Sequence, residues 1–177
     1  MKRLMISASL LVGLAGCTTF GGPIAVLPQG SGATASLNDA SGMSKATATA
    51  TQQSGGIRLQ IAAMNMAPGA YGAHVHTTGR CDAPGFESAG GHWNPTSQQH
   101  GKENPQGMHK GDLPNLIVGA NGRGTMEITI PGVTIAGARP RLLDEDGAAV
   151  VIHAAADDYR TDPSGNSGAR IACGVFG

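Results

Sequence analysis

Aromatic residues are scarce in this chain, with one Trp, two Tyr and three Phe among 177 residues. Gly is abundant at 28 residues, and there are ten Pro. That composition excludes a helical bundle and points to short strands joined by many turns. Surplus positive charge is also missing, since 12 Lys and Arg balance 12 Asp and Glu. Without it the chain has no means of holding a run of nucleic-acid phosphates, so no nucleic acid is expected as a partner. No apolar run is long enough to cross a bilayer, no amphipathic helix stands out and no segment repeats. Cysteine is limited to Cys17, Cys81 and Cys173. A chain of this length can bury a core without many staples, and its size suits one domain once a targeting segment is set aside.

The targeting segment is at the start. Met1-Lys2-Arg3 is basic, Leu4 to Gly16 is mostly apolar, and Leu14-Ala15-Gly16-Cys17 has the form of a bacterial lipobox. Charge, then a short apolar run, then small residues is the pattern of a signal peptide. It predicts residues 1–16 as the signal, cleavage before Cys17 and a lipid on the Cys17 thiol. The lipid would tie the protein to a membrane of the bacterial envelope, with Thr18 favouring the outer membrane and hence the periplasm. An ordinary secretory signal with an incidental cysteine is the alternative. Loss of Lys2 and Arg3 would leave 10 basic against 12 acidic residues. Export would also place the chain where disulfides persist. Residues 17–32, with Gly, Pro and small polar residues, read as a tether, and 33–177 as the folded domain.

Within that domain the apolar pattern has a period of two. Ala33–Leu37 alternates, Lys45–Thr51 alternates small with β-branched residues, and Ile57, Leu59 and Ile61 share one face of a strand. Tyr71–His76, Pro114–Val118, Thr125–Ile130 and Arg170–Phe176 are further predicted strands. Ala148–His153 is almost wholly apolar, which predicts a strand buried on both sides. Asn38–Gly42 and Ser54-Gly55-Gly56 are turns. Short strands at this spacing predict an all-β antiparallel sandwich or barrel. Between Thr77 and Leu113 no period is visible, and such a long irregular stretch in a compact domain is functional or disordered. Its histidines and its cysteine argue for functional.

Six histidines, His74, His76, His92, His100, His109 and His153, cluster in the middle of the sequence. His74 and His76 sit two apart on a predicted strand, so both imidazoles share a face and can reach one metal. The irregular segment adds His92, His100, His109 and Asp112, a nitrogen and carboxylate set suited to zinc. His153 ends the buried strand, where an unpaired imidazole is costly, and a metal is the partner expected there.

These residues carry a resemblance. From about Ala33 onward the sequence resembles the copper/zinc superoxide dismutases. The matching motifs are Gly72-Ala73-His74-Val75-His76, Gly90-Gly91-His92, His100 to His109-Lys110-Gly111-Asp112, Val151-Ile152-His153 and Gly165 to Cys173. The spacing of His92, His100, His109 and Asp112 is that of the family.

The resemblance implies a Greek-key antiparallel β-sandwich or flattened barrel with long metal-binding loops, an architecture recorded for this family. It implies one copper held by His74, His76, His92 and His153, and one zinc held by His92, His100, His109 and Asp112. His92 would be shared, because its ring has a nitrogen for each metal. The implied reaction converts two superoxide anions and two protons to oxygen and hydrogen peroxide. Arg170 would guide superoxide, as a fixed cation at a narrow opening does; electrostatic steering is a documented property of superoxide dismutase. Asp157 would brace metal-binding histidines, with Asp158 beside it as a surface carboxylate. Cys81 and Cys173 would form the family's disulfide.

The segment from Tyr159 to Gly168 is short and carries a single basic residue, Arg160, whereas eukaryotic members have a longer lysine-bearing loop. Lys110, Lys102 and Arg80 are therefore candidates for additional steering. Trp93 is read either as loop packing or as a subunit contact. The family includes monomers and dimers, which leaves a homodimer open. Two other functions compete with the enzyme: metal binding without turnover, and a structural envelope lipoprotein that uses the sandwich only as a scaffold.

Overall fold

The computed structural model describes residues 31–177. The signal, Cys17 and nearly all of the tether lie outside the described residues. Nine strands follow one another: β1 (Gly32–Asn38), β2 (Ser44–Gln53), β3 (Gly56–Ala63), β4 (Gly69–Tyr71), β5 (Ala73–His76), β6 (Leu116–Val118), β7 (Gly124–Pro131), β8 (Ala149–His153) and β9 (Arg170–Val175). Seven form an antiparallel curled sheet in the order β5-β8-β9-β1-β2-β3-β7, and β4 pairs with β6. The β1-β2-β3 meander is flanked by β7 on one side and by the β8-β9 hairpin on the other. Its long crossing connections are those of an all-β Greek-key fold.

The period of two places the core. Ile57, Leu59 and Ile61 are each 1% exposed, and Ala46, Ala48 and Ala50 face them from β2. Between them stand Arg58 and Gln60, which share the Glu127 carboxylate across the solvent face of β7. Alanine on β1 and β2 lets the sheet curl tightly around the larger Ile and Leu side chains.

β8 is buried on both faces, as its unbroken apolar run predicts. It lies between β5 and β9, and its two faces serve different ends. Val150 and Ile152 enter the main core with Val75 and Ala172. Ala149 and Val151 face the other way and pack with Cys173, Phe86 and Ala89 beneath the irregular loop. Directly paired residues point to the same face. The pairs His74 with Val151, His76 with Ala149 and Val151 with Cys173 therefore put the strand histidines and the cysteine on that outer face.

Residues 77–113 contain little regular structure, in line with the missing period. A single 3-10 turn spans Glu87–Ala89. Order comes from the backbone instead. The Val75 N–H donates to Gly111, the Trp93 N–H to Val75, and the Gly111 N–H to Trp93. The loop thus runs back along β5, and a methyl group at Gly111 would collide with the Val75 carbonyl and the Trp93 backbone. Trp93 is 4% exposed and belongs to the main core, so loop packing is the reading that holds.

Two predicted strands differ from the structure. Tyr71–His76 is not continuous: it breaks at Gly72, where the chain passes from the small sheet to the large one. Gly72 donates to Ala155 and accepts from His153, and the Ser167 side chain leaves no room for a side chain there. The strand expected from Pro114 starts at Leu116, because Asn115 is bonded to Asp157 and Tyr159 instead of a neighbouring strand.

The close approach at Gly111 generates a test. Gly111→Ala should destabilise the metal-free protein by roughly 1–3 kcal/mol, the usual cost of an overpacked site, read as a lower urea midpoint. Gly91→Ala, with open space around its Cβ direction, should shift the midpoint little. Equal midpoints for the two variants would contradict this account of the loop.

Candidate metal centre

Six histidines and two aspartates meet where the outer face of β5 and β8 touches the irregular loop. β5 supplies His74 and His76, and β8 supplies His153. The loop returns His92 opposite His76 and Asp112 opposite His74 in isolated bridges. All eight residues are buried.

The ligand-capable atoms of His74, His76, His92 and His153 lie within 4.8 Å of one another. The partners of these rings fix which nitrogen carries the proton. His76 Nδ1 lies 2.9 Å from the Gly90 carbonyl and His153 Nδ1 lies 3.0 Å from the Gly168 carbonyl. A carbonyl only accepts, so both Nδ1 atoms donate and both Nε2 atoms keep a lone pair. His74 Nε2 meets Asp157 Oδ2 at 2.8 Å and His92 Nδ1 meets Asp112 Oδ1 at 2.9 Å, which leaves His74 Nδ1 and His92 Nε2. Those four remaining nitrogens are buried and have no hydrogen-bond partner among the described residues. Four converging lone pairs repel one another, and a cation among them removes the repulsion. Nitrogen donors of this kind suit copper. The other ring nitrogen of each histidine is held by an oxygen, as metal-binding imidazoles usually are.

Burial pushes all four imidazoles away from protonation. His74 is lowered to about 3 and His153 to about 4, chiefly by desolvation. His76 and His92 are lowered for the same leading reason. Neutral rings are what a metal requires.

A second set surrounds Asp112. Its Oδ1 lies 2.9 Å from His92 Nδ1, 3.0 Å from His100 Nδ1 and 3.0 Å from His109 Nδ1. Its Oδ2 accepts the backbone N–H of Gly101 and His109. A tetrahedral zinc with bonds of about 2.0–2.1 Å keeps its ligand atoms about 3.3 Å apart, close to the 2.9–3.0 Å from Asp112 Oδ1 to each of the three ring nitrogens. By mutual proximity His92, His100 and Asp112 group with His74 and not with His109, whose tie to the set is its contact with Asp112. His74 belongs with the other set, because its Nε2 is taken by Asp157 while its Nδ1 is unpaired. Burial alone would raise the Asp112 carboxyl, but bonds from His100, His109 and His92 outweigh it and hold the group far below the usual range.

Asp157 joins the two sets. Oδ2 meets His74, Oδ1 meets His100 Nε2 at 3.0 Å, and Oδ1 also accepts the Tyr159 N–H. Desolvation opposes its charge, yet the bonds to His100 and His74 lower its pKa. Asp158, in contrast, is exposed and caps the turn at Arg160 and Thr161. His100 stands between two carboxylates. Burial opposes its proton, but Asp112 and Asp157 prevail and raise it to about 9.

Arg170 stands opposite His153, where a register shift lies between Ile152 and His153. Such an irregularity re-aims side chains. Its Nη1 donates to Phe86 O and its Nη2 to Gly90 O, each at 2.7 Å. Gly90 O thus holds both Arg170 and His76. Arg170 forms no ion pair among the described residues, while burial lowers its pKa. Cys81 and Cys173 form a disulfide with Cα atoms 5.6 Å apart, tying the loop to β9 three residues past Arg170. Closing a loop of this length stabilises a fold by about 4–5 kcal/mol in the chain-entropy account.

Each candidate for additional steering has a partner: Arg80 pairs with Asp82, and Lys110 donates to the Pro131 carbonyl. Lys102 lies over the Tyr159 ring, 3.9 Å from its centre. The carbonyls of Phe86, Gly90 and Gly168 left no trace in the sequence, because any residue supplies one. Asn115 and Tyr159 were also missed; a tyrosine two residues from Asp157 in an aromatic-poor chain was the available signal.

A model of the copper/zinc superoxide dismutase family matches residues 44–176. The chain is 42% identical over 147 residues to a Cu-Zn superoxide dismutase of Caulobacter vibrioides, covering 81% of this chain and 84% of that protein. It is 50% identical over 123 residues to a superoxide dismutase-like protein of Bacillus subtilis, covering 68% of this chain. It spans 63% of the length of that Bacillus protein. Among solved structures, a SOD-like protein from Bacillus subtilis aligns with a TM-score of 0.76 at 42% identity, covering 80% of this chain and 96% of that one. The Cu/Zn superoxide dismutase from Brucella abortus aligns with a TM-score of 0.61 at 27% identity, covering 82% and 99%.

The pKa directions set a pH dependence for the metal-free protein. His74, His76, His92 and His153 are lowered in the fold. Their contribution is present above the unfolded value of about 6.5 and is lost as pH falls toward 4 and below. His100 is raised to about 9, so its contribution is present below about 6.5 and is lost as pH rises toward 9. Urea midpoints should peak near pH 6.5–7 and fall more steeply on the acid side, where four rings act against one. Stability that climbs steadily from pH 6 to 9 would contradict these assignments.

Proposed function

The chain belongs to the copper/zinc superoxide dismutase family, and on that premise we propose that it removes superoxide at a paired metal centre in the bacterial envelope. The observation that carries this reading is the set of four buried, unprotonated and unpaired imidazole nitrogens beside a second four-residue set around Asp112. His74, His76, His92 and His153 would hold copper. His92, His100, His109 and Asp112 would hold zinc, and His92 has one ring nitrogen turned to each set.

Copper, when bound, supplies the one-electron chemistry by which two superoxide anions and two protons become oxygen and hydrogen peroxide. Zinc has no redox step of its own and organises the loop. The rest falls to the chain's own groups. Arg170 attracts superoxide and orients it, its guanidinium pinned by Phe86 and Gly90 so that little reorganisation accompanies binding. With both metals bound, His92 would be the ring able to hold and return a proton at Nε2, the nitrogen that is buried and unpaired, while Nδ1 faces Asp112. Asp157 keeps the His74 and His100 rings in their tautomers.

Residues 1–16 act as a signal and Cys17 carries a lipid that anchors the domain 33–177 through a tether to the outer membrane, facing the periplasm. The Cys81–Cys173 disulfide fits an oxidising compartment. There the enzyme protects the envelope from superoxide. Wild-type protein expressed in a bacterium should partition with detergent-soluble membrane material, and Cys17→Ser should move it to the soluble fraction. Identical partitioning of the two would remove the anchor.

One relative at 50% identity is named superoxide dismutase-like, which gives metal binding without turnover a place as the second reading. Arg170 separates the two, since metal storage has no use for it. In copper- and zinc-loaded protein, Arg170→Ala should slow superoxide loss about tenfold or more at low salt with metal content unchanged, and Arg170→Lys should fall between. A variant as fast as wild type would overturn the proposed role of Arg170.

A further inference from the structure

We propose that Tyr159 is a positioning residue that locks the zinc loop to the carboxylate joining the two metals. The inference rests on the metal assignments above. Tyr159 has a φ of 64°, a left-handed conformation that a bulky side chain rarely adopts. Glycine takes that conformation freely. A tyrosine there is sustained by what it holds, and strained residues gather where geometry is functional.

The N–H, the carbonyl and the hydroxyl oxygen of Tyr159 each have a partner. Its N–H donates to Asp157 Oδ1 at 2.6 Å. Its carbonyl accepts the Glu103 N–H at 3.1 Å. Its hydroxyl oxygen accepts the Asn115 N–H at 2.8 Å. The Asn115 side chain in turn brackets Asp157, donating to its carbonyl and accepting its N–H. Tyr159 and Asn115 therefore clamp the backbone and the carboxylate of Asp157 together.

The other side of Tyr159 reaches the zinc set. Gly101, with φ 96°, lies so close to the Tyr159 carbonyl that no side chain fits between them. The same Gly101 donates its N–H to Asp112 Oδ2. Lys102 covers the Tyr159 ring, and Arg160 pairs with Glu103 across the same seam. The next contact along the seam is the His100 N–H on Asp162. One residue thus touches the segment holding His100 and Asp112 on one side, and on the other the carboxylate that orients His74 and His100. Tyr159 has no atom placed against either set of metal-facing nitrogens, so it acts through Asp157 and Gly101.

The experiment uses the full copper- and zinc-loaded protein with Tyr159→Phe and Tyr159→Leu. Zinc release to a chromogenic chelator and the Cu(II) EPR spectrum are measured, with far-UV circular dichroism and disulfide content confirming the fold. The Phe variant should release zinc about tenfold faster, the low end for loss of an outer partner of metal ligands. Its copper spectrum should shift, because His74 follows Asp157. The Leu variant should show larger changes of the same kind. Zinc release within twofold of wild type and an unchanged spectrum in both variants would overturn the proposal, even if their melting temperatures fell. A wild-type protein that fails to retain zinc would instead overturn the metal assignment, and this inference with it.

Discussion

Four imidazole lone pairs are forced to face one another on the outer side of a sheet whose inner side is the hydrophobic core. Everything around the centre follows from that arrangement. β8 can carry His153 because its other face is anchored in the core by Val150 and Ile152. β5 can present His74 and His76 together because Val75, between them, is anchored in the same way. The loop must then cover the outer face and bring His92 to the gap, and it is held there by Phe86, Ala89 and a disulfide. A metal is what makes the convergence stable, so the fold and the chemistry impose the same requirement.

Charge is arranged locally rather than globally. The chain has no net charge, yet the centre contains two buried aspartates held ionised by histidine and backbone donors. Those carboxylates offset part of the charge that two cations bring. His100, between them, is held toward protonation by those carboxylates, so on the proposed assignment zinc binding there would release a proton. Arg170 is held by carbonyls and not by a carboxylate. Glu87 acts on its charge from a distance, without an ion pair among the described residues.

The strands and the histidines were legible because both obey short rules. Alternation at Ile57, Leu59 and Ile61 gave a face, the unbroken run before His153 gave a doubly buried strand, and the resemblance supplied the ligand sets and the disulfide. The departures have physical causes. Gly72 breaks a run that alternates well, because the chain changes sheets there and only tertiary packing at Ser167 reveals it. Asn115 looked like strand and serves Asp157 instead. Loop order comes from backbone bonds such as Val75 to Gly111, which residue type does not encode. The basic side chains could not be ranked from sequence, since Arg80, Lys102 and Lys110 differ only in the partners they meet in space.

The measurement that bears most directly on the account is metal content and superoxide loss on the same samples of wild type and His153→Ala, each loaded with copper and zinc. His153 lies in the first set and not in the second. The account predicts one copper and one zinc per wild-type chain with rapid superoxide loss, and a variant that keeps zinc but loses copper and turnover. A wild-type chain that binds both metals yet removes superoxide no faster than buffer would contradict it and leave metal binding without turnover.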